Sequence, residues 1–148
     1  MADLRAQISE ATTTAMKARD KPRVAALRLI NAAIKQVEVD ERKDLNDDEV
    51  IAVLNRMLKQ RRDSESQFRD AGRTDLADIE AFEIALIGEF MPEPLDEAAV
   101  DTLIAAAIAS TGAASMSDMG KVMGALRSEV QGRTDMAQVS AKVKAALS

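Results

Sequence analysis

Residues 20–42 read DKPRVAALRLINAAIKQVEVDER, and this stretch decides the fold. Leu27, Ile30, Ile34 and Val37 recur at spacings of three, four and three, which gathers them on one stripe of an α-helix. Asp20 stands before the pattern as an N-cap, and Pro22 falls in the first turn, where its missing N–H has no partner to lose. Lys21, Arg28, Lys35 and Arg42 follow one another at strict sevens. A helix drifts only about 20° per heptad, so these cations share one face, opposite the apolar stripe.

The same reading extends in both directions. Upstream, Leu4, Ile8, Ala11 and Ala15 repeat with helical spacing after an N-cap at Asp3. Downstream, Asn46 with Glu49 forms a capping box that starts a third helix through Val50, Val53, Leu54, Met57 and Leu58. Gly72 occupies a helix-terminating position. A fourth helix then starts from Thr74 or Asp75 and runs through Leu76, Ile79, Phe82, Leu86 and Phe90. Met91-Pro92-Glu93-Pro94 ends it, since two prolines in three residues cannot continue a helix. Asp96 caps a fifth, Ala-rich helix through Val100, Leu103, Ile104 and Ile108, closed at Thr111-Gly112. A sixth spans about Ser117 to Glu129, and a seventh starts at Thr134 or Asp135 and runs through Met136, Val139, Val143 and Leu147. No segment alternates with period two. The expectation is an all-α chain: a bundle of about four helices over 1–94, then a three-helix tail domain over 95–148. A tail of that size supports only a small core, so it is expected to be marginal by itself or to lean on the first domain.

Composition excludes many chemistries. The 148 residues contain no Cys, His, Trp or Tyr and only three Phe. Disulfides, thiolate catalysis and zinc–thiolate sites are therefore out, as are the commonest general base and metal ligand. A metal site is conceivable only through carboxylates, and no spacing selects one. Neither a metal nor a cofactor is expected. The opening MADLRAQISE has no apolar signal core, and no stretch approaches about 18 uncharged apolar residues. A cytoplasmic protein with no membrane association is expected.

The net charge of −5 hides segregation. Residues 1–35 carry +4, 36–50 carry −5, 51–73 carry +3, 74–120 carry −10 with no Lys or Arg, and 121–148 carry +3. Phosphate binding needs a local basic footprint, not a basic protein. Three segments could supply one. The heptad row on the second helix could track a phosphate backbone, or could simply be the polar face that accompanies a core stripe. Lys59, Arg61 and Arg62, beside Arg56, make the densest basic run, which could also be ion-paired with Asp63, Glu65 and Asp70. No aromatic residue interleaves, which disfavours stacking on single-stranded bases and leaves a folded RNA read by backbone and shape.

In the tail, Gly120-Lys121-Val122-Met123-Gly124 sets two glycines four residues apart on one helix face. A helical glycine costs up to about 1 kcal/mol relative to Ala, so something should approach closely. That neighbour is either a packed helix or a sugar-phosphate backbone held by Lys121, Arg133 and Lys142. The run Gly112 to Lys121 is not a phosphate loop: its glycine spacing is too long, Val122 replaces the Ser/Thr, and no strand precedes it. Acid pairs such as Asp47-Asp48 lie at helix starts, where caps and the helix dipole account for them. No catalytic residue is assigned.

These residues resemble the GatB/YqeY family, in particular its small stand-alone YqeY-like members. The resemblance runs through Leu27-Arg28, Ala33, Lys35, Lys59-Gln60-Arg61, Ser64 and Phe68, then Ala71-Gly72-Arg73-Thr74-Asp75-Leu76 and the Pro92 region. It ends with Met119-Gly120-Lys121-Val122-Met123-Gly124-Ala125-Leu126 and Gly132-Arg133. Phe90-Met91-Pro92 stands where Tyr-Leu-Pro is usual, and Thr134-Asp135-Met136 where Ala-Asp-Gly is usual. The tail is similar to the C-terminal appendage of the B subunit of the glutamine-dependent aminoacyl-tRNA amidotransferase, which engages tRNA.

The resemblance implies an all-helical protein in two parts with a link to tRNA-dependent amidation. The amidotransferase's kinase and amidase sites have no counterpart among these residues. The expected function is therefore a non-catalytic accessory protein that binds tRNA through Lys121, Gly124, Arg133, Lys142 and the run Lys59, Arg61, Arg62. Two alternatives stand beside it. One is an interaction module that docks on an aminoacyl-tRNA synthetase or amidotransferase. The other is a carbon–nitrogen ligase using glutamine as amide donor, which shared fold alone does not establish.

Overall fold

A computed structural model describes residues 3–148. Its helices are α1 (Leu4–Lys17), α2 (Lys21–Glu41), α3 (Asp47–Asp70), α4 (Thr74–Gly88), α5 (Glu97–Thr111), α6 (Met119–Val130) and α7 (Met136–Leu147). A single 3-10 turn, Met116–Asp118, precedes α6, and no strand occurs among the described residues. The chain is all-α, as its periodicity requires. It divides into two compact units, one ending at Met91 and the other spanning Pro92–Ser148.

In the first unit α1 pairs with α2, and α3 pairs with α4. Its core is aliphatic: Ile8, Leu27, Ile30, Ile34, Val50, Leu54, Leu86 and Ile87 are all but removed from solvent. The caps read from sequence form. The carboxylates of Asp3 and Asp20 accept from the first-turn amides of α1 and α2, and Asn46 with Glu49 closes a reciprocal capping box on α3. Asp47 also reaches across the unit, accepting the Leu4 amide at 2.9 Å, so the start of α3 caps the start of α1. A half-buried polar seam joins α1 to α2, where Arg5 donates to Asn31 at 2.8 Å and to Glu38 at 3.4 Å. Asn31 in turn donates to the Thr12 hydroxyl at 2.9 Å.

α4 starts at Thr74, one of the two starts expected, with Arg73 at its N-cap and no side-chain cap. Gly72, at φ +74°, closes the α3 end so tightly that the Arg73 amide bonds back to the Phe68 carbonyl at 2.8 Å. Helix geometry can therefore resume at once at Thr74. The buried face of α4 differs in part from the expected one. Ala77, Leu86 and Ile87 are buried, whereas Ile79 and Phe82 are exposed. Ala77 lets α4 sit close to its neighbours, and that register turns Ile79 and Phe82 to the outside. Of the expected stripe Leu76, Ile79, Phe82, Leu86 and Phe90, Leu86 is buried, Leu76 is half-buried, Ile79 and Phe82 are exposed, and Phe90 packs on the core from beyond the helix, which ends at Gly88.

The second unit has its own core of Val100, Ile104, Val122, Leu126, Val130, Val139, Val143 and Leu147, drawn from α5, α6 and α7. Asp96 and Asp135 cap α5 and α7, and Gly112, at φ +67°, ends α5. The α-helical part of α6 begins at Met119, two residues later than expected. The Asp118 carboxylate accepts the Ala114 and Ser115 amides at 2.9 and 3.3 Å, folding Met116–Asp118 into a 3-10 turn first.

Candidate nucleic-acid interface

The basic run of α3 separates by helical position. Lys59 and Arg62 lie on the solvent face with Arg56, and none of the three has a carboxylate within ion-pair distance among the described residues. Arg61 does not join them. It follows Leu54 by seven positions and Met57 by four, so it shares the packed side of α3. There its Nε donates to Glu83 of α4 at 2.8 Å.

In the tail, Lys121, Arg133 and Lys142 each have a different engagement. The Lys121 side chain is 69% exposed, with the Asp118 carboxylate at 3.7 Å. Backbone amides of Ala114 and Ser115, and then Lys121, hold Asp118 below the usual carboxylate range. Arg133 is turned onto the backbone. Its Nε donates to the Glu93 carbonyl at 2.9 Å while its own carbonyl accepts the Leu95 amide at 2.8 Å. It thereby latches the proline segment to the turn between α6 and α7. Lys142 is held between two carboxylates of α5, Asp101 at 2.6 Å and Glu97 at 3.1 Å. The Asp101 hydrogen bond and then that of Glu97 raise its pKa.

The glycine pair of α6 is open. A Cβ built at Gly120 or Gly124 meets nothing within 4 Å, so no packed helix explains the absence of side chains there. At about 100° per residue, the buried Val122, Leu126 and Val130 define one side of α6. Gly124 and Ser128 stand opposite them, with Lys121 and Arg127 on either flank. Arg127 is exposed and was not among the residues expected at this site. Its signal was present in the sequence, since it follows Gly120 by seven and Gly124 by three. Gly120 lies in the first turn of α6, so Gly124 is the glycine that costs helix stability.

All four members of the α2 row, Lys21, Arg28, Lys35 and Arg42, are exposed without a carboxylate at ion-pair distance among the described residues. Arg42 is the C-cap, in left-handed geometry at φ 56°, so the strictly helical part of the row ends at Lys35. No cluster of three or more acidic side chains capable of holding a metal occurs among the described residues. No single helix there is long and apolar enough to cross a membrane.

Comparison with known proteins agrees with this architecture. The family described as "Yqey-like protein" matches residues 5–147. An uncharacterized protein of Schizosaccharomyces pombe is 31% identical over 91 residues, covering 62% of this chain and 74% of the relative. A protein of Pyrenophora tritici-repentis, "Altered inheritance of mitochondria protein 41, mitochondrial", is 26% identical over 133 residues, or 88% of this chain and 73% of the relative. With a family match that spans both helical units, the chain belongs to the YqeY-like family.

Proposed function

We propose that this chain is a cytoplasmic, non-catalytic accessory protein that binds folded tRNA by its backbone and serves tRNA-dependent amidation. The observation that carries the reading is the open face of α6, where a Cβ added at Gly124 would meet nothing within 4 Å and exposed Lys121 and Arg127 flank it. A bare helix backbone between two cations suits a sugar-phosphate chain, which needs close approach and neutralisation together. On α3, Lys59 and Arg62 provide further exposed positive charges, with no carboxylate at ion-pair distance among the described residues. In this reading Arg61, Arg133 and Lys142 contribute to the fold, and Lys121, Gly124, Arg127, Lys59 and Arg62 meet the RNA.

The test is binding of folded tRNA to the full chain across a salt series. Affinity should fall steeply with salt, because each neutralised phosphate releases counterions. Lys121→Ala with Arg127→Ala should weaken binding and flatten the slope. A flat salt response, or no binding at about 50 mM salt, a condition that favours phosphate contacts, overturns the reading.

A further inference from the structure

We propose that the outer face of α2 is a docking seam for an amphipathic helix of another protein, one that carries acidic side chains along the edge facing Lys21, Arg28, Lys35 and Arg42. The inward face of α2 is already occupied by the core of its unit. On the outward side, Pro22, Ala25, Leu29, Ala32, Gln36 and Val39 recur at spacings of three and four over the length of the helix. This is a second heptad pattern, five of its six positions apolar or small, and all six are exposed. Leu29 is 46% and Val39 58% exposed, so both would gain by leaving water. Apolar repeats at 3.5-residue spacing are the pattern by which helices pair side by side. The rise of 1.5 Å per residue makes the seam about 25 Å long, close to five turns of a partner helix.

The surroundings support a concave seat for such a helix. Two open clefts meet at Ala25. One, of about 400 Å³, is lined by Met16, Val24 and the cations Arg19, Lys21 and Arg28. The other, of about 380 Å³, is lined by Pro22, Ala26, Asp78, Ile79, Phe82 and Glu83. Exposed Ile79 and Phe82 of α4 are therefore continuous with the seam.

Charge selects the occupant. The cations at strict sevens take the position beside the apolar seam that sets partner choice in paired helices. On the opposite flank stand Ala26, Ala33 and Asp40, so the unbalanced charge is positive. Carboxylates on the α4 side are already engaged, Glu83 by Arg61 at 2.8 Å and Asp78 by Arg69 at 3.4 Å. A second copy of α2 is a poor occupant: paired antiparallel, it sets cation row against cation row, and paired parallel, it offers only Asp40. A nucleic-acid backbone would leave Leu29, Val39 and Phe82 uncovered, whereas an apolar helix face covers them.

Two designed 21-residue peptides test the seam against the full chain by fluorescence anisotropy. Both carry Leu at the two core positions of each heptad, one has Glu at the flanking positions, and its twin has Lys there. The acidic peptide should bind at least tenfold tighter than the twin. Leu29→Glu with Ala32→Glu, both at exposed positions, should weaken it at least tenfold while circular dichroism stays unchanged. Lys21→Glu, Arg28→Glu and Lys35→Glu together should reverse the preference toward the basic twin. Failure of both peptides to bind, equal binding of the two, or indifference to the seam substitutions overturns the proposal. Displacement of the acidic peptide by tRNA, or by vesicles of phosphatidylglycerol, also overturns it, as does a dimer in sedimentation that Leu29→Glu dissociates.

Discussion

Arg61 Nε donates to Glu83 Oε2 across 2.8 Å, joining α3 to α4 through side chains that are 17% and 13% exposed. Its neighbour Arg62 faces solvent. One helical step thus separates a charge that holds the bundle from a charge free to meet a ligand. Arg61→Ala should cost about 1–3 kcal/mol, because it strands a desolvated carboxylate. Replacing both partners with Leu should come close to neutral, since no buried charge is left without its counter-ion. Urea unfolding of the wild type and the two variants checks both statements.

Gly124 supplies a test in which stability and binding move in opposite directions. A Cβ there meets nothing, so Gly124→Ala should stabilise the chain by about 0.5–1 kcal/mol through helix propensity. The same methyl group should weaken tRNA binding by holding the ligand away from the helix backbone. Thermal unfolding and filter binding on one protein preparation measure the two effects. Higher stability with unchanged affinity would remove the glycine from the interface.

Lys121 and Lys142 should behave differently although both are tail lysines. Lys142 is already neutralised by Asp101 and Glu97, so Lys142→Ala should leave tRNA affinity within about twofold and change stability only slightly. Lys121→Ala should lower affinity several-fold, with only a slight loss of stability from the exposed Asp118 contact. A titration of each variant at fixed salt distinguishes them, and equal losses would contradict the division of roles.

The Asp118 carboxylate contributes stability with a definite pH sign. Its pKa is lowered in the folded chain, chiefly by the Ala114 and Ser115 amides. A carboxylate depressed in this way stabilises the fold above its unfolded pKa, near 4, and loses that contribution as pH falls through the lower folded value. Wild type should therefore exceed Asp118→Asn in stability at pH 7, and the gap should close as the solution is acidified below about pH 4. Chemical unfolding at a series of pH values measures the gap.

The outward turn of α4 predicts an inversion of the usual hydrophobic ranking. Phe82 is exposed and Ile87 is buried, although both stand on the same apolar helix. Phe82→Ser should change stability by less than about 1 kcal/mol, whereas Ile87→Ala should cost about 2–5 kcal/mol through the cavity it leaves. Comparable losses from the two would return Phe82 to the core.

Arg133 shows how far sequence reading of a site can reach. Its place in the chain suggested a phosphate contact, yet its guanidinium bonds to the Glu93 carbonyl forty residues away. No local pattern announces that bond, because the acceptor is backbone and its position depends on how the proline segment returns to the α6–α7 turn. Arg61 was more legible: its spacing from Leu54 and Met57 already placed it in the packed register. The register of α4 was not legible, because the exposed Ile79 and Phe82 fall on the same regular stripe as Leu86, which is buried.

By itself the sequence determined the helices, their caps and the break at the prolines, since periodicity, capping hydrogen bonds and the missing proline N–H act within a few residues. Asp3, Asp20, Asn46 and Asp96 show this, each capping the helix that follows it, and of the two candidates Thr134 and Asp135 it is Asp135 that caps α7. Tertiary structure alone decided which cations are spent and which apolar faces stay uncovered. Arg61, Arg133 and Lys142 found partners on other helices or turns, while Lys121, Arg127 and the α2 row kept their charge in solvent. The reason is distance: an ion pair or a packed face depends on which residues, remote in the chain, folding brings within a few ångströms, and spacing along one helix does not encode that.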